Sequence, residues 1–224
     1  MGDTRLTLAT RCYVGGDARE RAMQSLDAML EDDIGELDAT HELKVDEHEF
    51  PVVELSGPDA PVAGNLLRER WGEAALPAAG EVGTGTLTAW DEEALVLDAG
   101  TEVRIPRGEL GLGPGTPGEI RTRYGLVQHT PLQFVGGDTP RLADAERDRL
   151  YGWTRGEGRL NVNSATRAEV RATVNRAGHA RDIVTVERLG LLEQSIVCKS
   201  DTDPPGLLAS IGEYLPSELL CVVS

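Results

Sequence analysis

The stretch from Gly80 to Gly137 constrains the fold of this chain most. Glycines recur through it and its apolar residues come in short alternating runs, so a long helix is not expected there. Thr84–Trp90 and Ala94–Ala99 flank Asp91-Glu92-Glu93 as the arms of a hairpin would. Glu102–Ile105 follows, then the loop Gly111-Leu112-Gly113-Pro114-Gly115-Thr116-Pro117-Gly118, then Ile120–Tyr124 and Leu132–Val135. Five short strands over residues 80–137 predict a small closed barrel of the OB type.

The segments on either side carry helical periodicity. In residues 1–78, Leu6–Val14 alternates like a strand and Gly15-Gly16-Asp17 turns it. Ala22, Leu26, Met29 and Leu30 then predict a helix over Ala18–Leu30. Two strands, Thr40–Val45 and Phe50–Leu55, precede a second helix from Asp59 or Pro61 to Trp71. Residues 141–224 repeat that order. Leu160–Val162 is a strand, Thr166–Ala177 a helix opened by the capping box Thr166/Glu169, and Ile183–Arg188 and Leu191–Cys198 are strands around Gly190. A helix over Pro205–Tyr214 and a strand over Leu219–Val223 close the chain. The expected fold class is α+β: two ferredoxin-like βαββα-type units, an N-terminal one over 1–78 and a C-terminal one over 141–224, flanking the barrel.

Composition removes some function classes. No apolar run approaches the roughly 18–20 residues that span a bilayer, and Met1-Gly2-Asp3-Thr4-Arg5 lacks the order of a signal peptide. A cytoplasmic protein with no membrane partner is expected. The three cysteines, Cys12, Cys198 and Cys221, form no Cys-x-x-Cys pair, so neither a disulfide framework nor a structural zinc site is expected. Cys198 reads as a small buried hydrophobe. The net charge of −16 is spread along the chain, and of 22 basic residues only Lys44 and Lys199 are lysines. Dispersed carboxylates with few lysines suit a surface hydrated in concentrated salt.

Against that background one segment is basic. From Arg147 to Arg181 eight arginines face three acids, Asp148, Glu157 and Glu169, a local balance of +5. Arg147, Arg149, Arg155, Arg159, Arg167 and Arg171 are the candidate phosphate contacts, and Tyr151 and Trp153 the candidate stacking rings. The alternative for Arg167 and Arg171 is the solvated face of a helix whose Val170 and Val174 point inward. The expected function is a non-enzymatic RNA- or ribonucleoprotein-binding factor, associated with the ribosome or the transcription machinery. The alternative is a protein–protein adaptor or small-ligand sensor. Third stands a metal-dependent enzyme using His41 and His48 beside Glu42, Glu47 and Glu49. No catalytic residue, metal ligand or cofactor is assigned, since the glycines at 111, 113 and 115 precede no Gly-Lys-Ser/Thr.

Three resemblances add to this. Gly83-x-Gly85-x-Leu87, Leu95-Val96-Leu97-Asp98 and Glu102-Val103-Arg104-Ile105-Pro106 resemble an S1-type RNA-binding barrel. Trp90, Tyr124, His129 and Phe134 are the aromatics that could serve its binding face, each also suited to core or rim. Leu160-Asn161-Val162-Asn163-Ser164-Ala165-Thr166 is similar to the start of a helix-hairpin-helix motif, but Ala177-Gly178-His179-Ala180 stands where Gly-x-Gly is needed. Asn and Ser there read as helix caps. The chain as a whole resembles an archaeal, haloarchaeal-type domain-of-unknown-function family. That resemblance is carried by Tyr124-Gly125-Leu126-Val127, Gly178-His179-Ala180-Arg181-Asp182 and Glu187-Arg188-Leu189-Gly190-Leu191-Leu192-Glu193. It implies an archaeal cytosolic protein and no activity.

Overall fold

Three antiparallel sheets, one from each third of the chain, share out the apolar residues in a computed structural model that describes residues 4–215 and 217–223. The opening Met1-Gly2-Asp3 lies outside the described residues. No helix among those described is long and apolar enough to cross a membrane.

The first sheet is built from β1 (Thr4–Thr7), β2 (Thr40–Val45) and β3 (Pro51–Ser56), in the order β1-β3-β2. Helices α1 (Gly16–Ile34) and α2 (Ala60–Trp71) cover it. α1 buries Ala22, Leu26, Leu30 and Ile34 at the spacing that makes one stripe. Gly64 lets α2 approach β1, since a Cβ there would fall 2.8 Å from Thr4 Cγ2. The strand expected over Leu6–Val14 stops at Thr7. Beyond it the amides of Ala9 and Cys12 donate to the carbonyls of Gly72 and Glu49, so the chain leaves the ladder.

The second sheet runs β6-β5-β4-β7-β8 and curls into a half-barrel. Its strands are β4 (Val82–Trp90), β5 (Ala94–Asp98), β6 (Glu102–Pro106), β7 (Pro131–Val135) and β8 (Arg141–Leu142), with a bulge in β4 between Leu87 and Ala89. Two short helices, α3 (Arg107–Leu110) and α4 (Pro117–Arg123), correct the expectation of a helix-free segment and of a strand over Ile120–Tyr124. Thr116 accepts from the Glu119 amide and Glu119 accepts from the Thr116 amide, with Pro117 in the first turn, a complete capping box. Helix α5 (Asp144–Arg155) inserts Leu150 and Trp153 into the half-barrel beside Leu87, Tyr124 and Phe134.

The third sheet has the order β10-β11-β9-β12, from β9 (Arg159–Val162), β10 (Ile183–Arg188), β11 (Gln194–Cys198) and β12 (Leu219–Val222). Helices α6 (Arg167–Arg176) and α7 (Pro204–Ile211) pack on it. The capping box of Thr166 and Glu169 forms as the sequence indicates. β11 begins at Gln194 rather than Leu191 because the amides of Leu189 and Gly190 both donate to the Glu193 carbonyl, closing a hairpin loop.

That loop joins the outer units. Leu191 and Leu192, 2% and 1% exposed, sit in the core of the first unit with Leu6, Leu26 and Leu67. The Leu191 amide also donates to Thr10 Oγ1 at 2.8 Å. Truncating Leu192 to Ala should therefore destabilise the whole chain by about 2–5 kcal/mol, as for a buried core leucine. Equilibrium urea unfolding measures this, and a loss below about 1 kcal/mol would mean that the loop only rests on the surface.

Candidate nucleic-acid interface

Helical phase divides the predicted basic segment. On α5, Arg149 and Trp153 are four residues apart and face one way, while Arg147, Tyr151 and Arg155 share another face. Arg147 pairs with Asp144. The Tyr151 hydroxyl donates to the Gly111 carbonyl at 2.9 Å, and the Arg155 guanidinium lies 5.3 Å from the Tyr151 ring centre. Arg171 is exposed on the outer face of α6. Trp153, expected to stack, is 5% exposed and belongs to the half-barrel core, with the Arg149 and Arg159 guanidinium groups near its ring where it meets the groove.

Three of the predicted arginines do converge. Arg149, Arg159 and Arg167 line one shallow groove of about 580 Å³, and Arg188, at the end of β10, completes it. Arg149 is held by the buried carboxylate of Glu146 and lies 5.0 Å from the Trp153 ring centre. Arg159 pairs with Glu187, donates to Ser195 Oγ at 3.2 Å and lies 5.5 Å from the same ring. These two are oriented by carboxylates. Arg167 and Arg188 have no carboxylate partner among the described residues, and Arg167 Nε is buried without an acceptor. Partial burial, then the neighbouring charges of Arg167 and Arg70, lower the pKa of Arg188 below the usual arginine value. Arg188 lies outside the charge-dense segment of the sequence, and only the return of β10 to the groove brings it there.

The groove opens into a larger cleft of about 1060 Å³ where the three units meet, and the two share Arg149, Arg188 and Leu189. Trp71, the last residue of α2, stands in the cleft wall with the Arg188 guanidinium 5.5 Å from its ring centre. Its indole N–H donates to Asp33 Oδ2 at 3.3 Å, and Asp33 also pairs with Arg70.

The expected S1-type aromatics are buried or already engaged by neighbouring side chains. Tyr124 and Phe134 are buried in the half-barrel. Trp90 lies under the Arg121 guanidinium, 3.8 Å from its centre, and Arg121 pairs with Glu218. His129 stacks on Tyr13 at 3.9 Å between ring centres. Asn161 and Asn163, expected as helix caps, instead donate to the carbonyls of Gly125 and Gln128, tying β9 to the half-barrel, and the cap is Thr166. His41 pairs with Asp27 and His48 with Glu47, and among the described residues no three metal-binding side chains converge. His179 bridges Asp182 at 2.6 Å and Ser210 at 2.7 Å, joining the end of α6 to α7; none of the three lines the groove or the cleft.

Beneath the cleft floor lies a buried polar joint. The Tyr13 hydroxyl donates to Glu193 Oε1 at 2.6 Å and accepts from the Ser164 amide at 2.9 Å. Glu193 Oε2 has no partner among the described residues and lies so close under Gly190 that a Cβ there would fall 2.2 Å from it. Burial pushes the Glu193 carboxyl up to about 8, so it keeps its proton at neutral pH. Burial, then the Arg11 charge, pushes the His129 imidazole down to about 4.

Family models described as the DUF2110 N-terminal, central and C-terminal domains match residues 5–76, 77–154 and 157–223. No curated protein matches the chain.

A carboxyl whose folded pKa lies above its unfolded value contributes stability fully below the unfolded pKa and loses it as pH rises through the folded one. For Glu193 that window runs from 4.5 to about 8. Relative to Glu193→Gln, the wild type should lose stability across it at up to ~1.4 kcal/mol per pH unit. Urea midpoints at pH 5, 6, 7 and 8 test this, and parallel curves for the two proteins would exclude a buried proton at this site.

Proposed function

The chain belongs to the DUF2110 family, whose description names no activity, and from its own surface we propose that it is a non-enzymatic RNA-binding factor acting through the arginine groove. One observation carries this reading. In a chain of net charge −16, Arg167 and Arg188 line one groove without a carboxylate of their own among the described residues. Such a pair leaves its donors open to an anion, and a phosphate accepts from guanidinium forks in two places at once. Arg149 and Arg159, already oriented by Glu146 and Glu187, line the same groove.

The rest of the fold supports the same reading. The outer units have the strand orders of a split βαβ arrangement, which fits ferredoxin-like units, the first without its fourth strand. The half-barrel order β6-β5-β4-β7-β8, with helices between β6 and β7, fits an OB-type barrel left open between β6 and β8. The S1-type face is not the proposed surface, because Tyr124 and Phe134 are buried and Trp90 and His129 are already engaged by Arg121 and Tyr13. A salt-adapted archaeal cytosol would favour this design, since loose phosphate attraction weakens steeply with salt while forked contacts persist.

Replacing Arg167 and Arg188 together by Glu should weaken binding of a labelled single-stranded RNA by at least tenfold. It should also flatten the dependence of log K on log salt by about 0.7 for each phosphate no longer neutralised. The pair Arg171→Glu and Arg176→Glu, on the outer face of α6, should leave affinity within about threefold at matched salt. Fluorescence anisotropy across a potassium chloride series measures both. Equal loss from the two double variants would reduce the effect to net charge and remove the groove from the proposal.

A further inference from the structure

We propose that the cleft beside the arginine groove is a nucleobase site, in which Trp71 stacks one base splayed out of a single strand whose phosphate is held by Arg167 and Arg188. The inference rests on the RNA-binding reading and adds to it the part of the ligand that carries no charge.

The geometry is specific. Arg188 belongs to both concavities: one side of its surroundings is the groove with Arg167, the other the cleft wall with Trp71. It lies over the indole without a carboxylate partner among the described residues, so it can turn toward a phosphate and leave the ring face to a base. The ring itself is fixed, because its N–H donates to Asp33 and Asp33 is held by Arg70. A pre-oriented ring loses little freedom on stacking. Leu76 and Val82, each 59% exposed, give the cleft an apolar rim, unusual in so acidic a chain.

The far wall sets the class of ligand. Asp32, Glu69, Glu73 and Glu81 also line the cleft, with Arg68 and Arg70 beside them and Glu73 paired to Arg68. Carboxylates in that wall can accept hydrogen bonds from the exocyclic amino groups of bases, which a phosphate cannot offer. The cleft therefore suits a base, flipped out or terminal, seated beside Trp71. Duplex RNA, whose bases are stacked away, would reach only the groove.

Three variants and two polyanions test this. Trp71→Leu, Trp71→Phe and Arg188→Ala are compared with wild type for binding of a labelled single-stranded RNA and of inorganic polyphosphate, with thermal melts to confirm folding. Trp71→Leu should weaken RNA about tenfold while leaving polyphosphate within about twofold. Trp71→Phe, which keeps a ring, should recover most of the RNA affinity. Arg188→Ala should weaken both ligands. A mononucleotide that binds as tightly as the strand, and whose binding falls in the same variants, would keep the base site and make the free nucleotide its ligand. Equal binding of RNA by wild type and Trp71→Leu, or equal weakening of both ligands in Trp71→Leu, would overturn the base site and leave the groove standing. Wild-type protein that binds neither polyanion would overturn the groove, and the base site with it.

Discussion

The arrangement depends first on the loop Leu189–Glu193. It puts Leu191 and Leu192 from the third sheet into the core of the first unit and, at Glu193, buries a carboxyl against Tyr13. The apolar contact supplies the free energy, and the polar contact supplies the register. A buried carboxyl tolerates few alternative positions, because each of its oxygens must be neutral or partnered. Gly190 suits the same packing: a Cβ there would crowd Glu193 Oε2 and the Pro131 ring. Arg188 precedes the loop by one residue and Trp71 ends the helix on the opposite unit, so their contact exists only because the loop is seated.

The half-barrel is joined to the third sheet by a different chemistry. Asn161 and Asn163 donate to backbone carbonyls of Gly125 and Gln128, and Glu218 accepts from the Gln128 amide while pairing with Arg121. These contacts are polar and wholly or partly buried, hence directional. They fix how α5, which carries Arg149, stands relative to β9, which carries Arg159. The groove is therefore a product of two joints, one apolar and one polar, rather than of any single element.

Much of the fold was legible in the sequence, and for identifiable reasons. The stripe Ala22, Leu26, Leu30 marks α1, and Thr166 with Glu169 marks the start of α6. The helix at Ile120–Tyr124, where a strand was expected, has an equally local cause. Thr116-Pro117-Gly118-Glu119 carries a full capping box, but it sits among glycines that outweighed it, and alternation across five residues does not separate a strand from one helical turn. The site was legible only as charge. The density of arginines along the chain located Arg149, Arg159 and Arg167. It could not tell that α5 turns Arg147 and Arg155 away or buries Trp153, because that depends on helical phase against a core not yet known. Arg188 and Trp71 gave no signal in the sequence. They lie in different units, far apart in the chain, and meet only through the tertiary fold.

The pairing pattern explains why an acidic chain would keep arginine rather than lysine at such a surface. A guanidinium can stack on an indole and pair with a carboxylate in the same pose, as Arg149 does with Trp153 and Glu146 and Arg159 does with Trp153 and Glu187. Stacking and forked hydrogen bonds are short-ranged and little screened, whereas the attraction between separated charges fades beyond roughly 10 Å at ordinary ionic strength. A surface that must repel anions in general and still hold one kind of anion in one place is therefore best served by few cations in fixed orientations. Arg149 and Arg159 fit that requirement, while Arg167 and Arg188 beside them have no carboxylate partner among the described residues and the surrounding chain keeps its strongly negative balance. Selectivity would then come from geometry at the groove, while the acidic remainder limits non-specific adsorption of nucleic acid elsewhere.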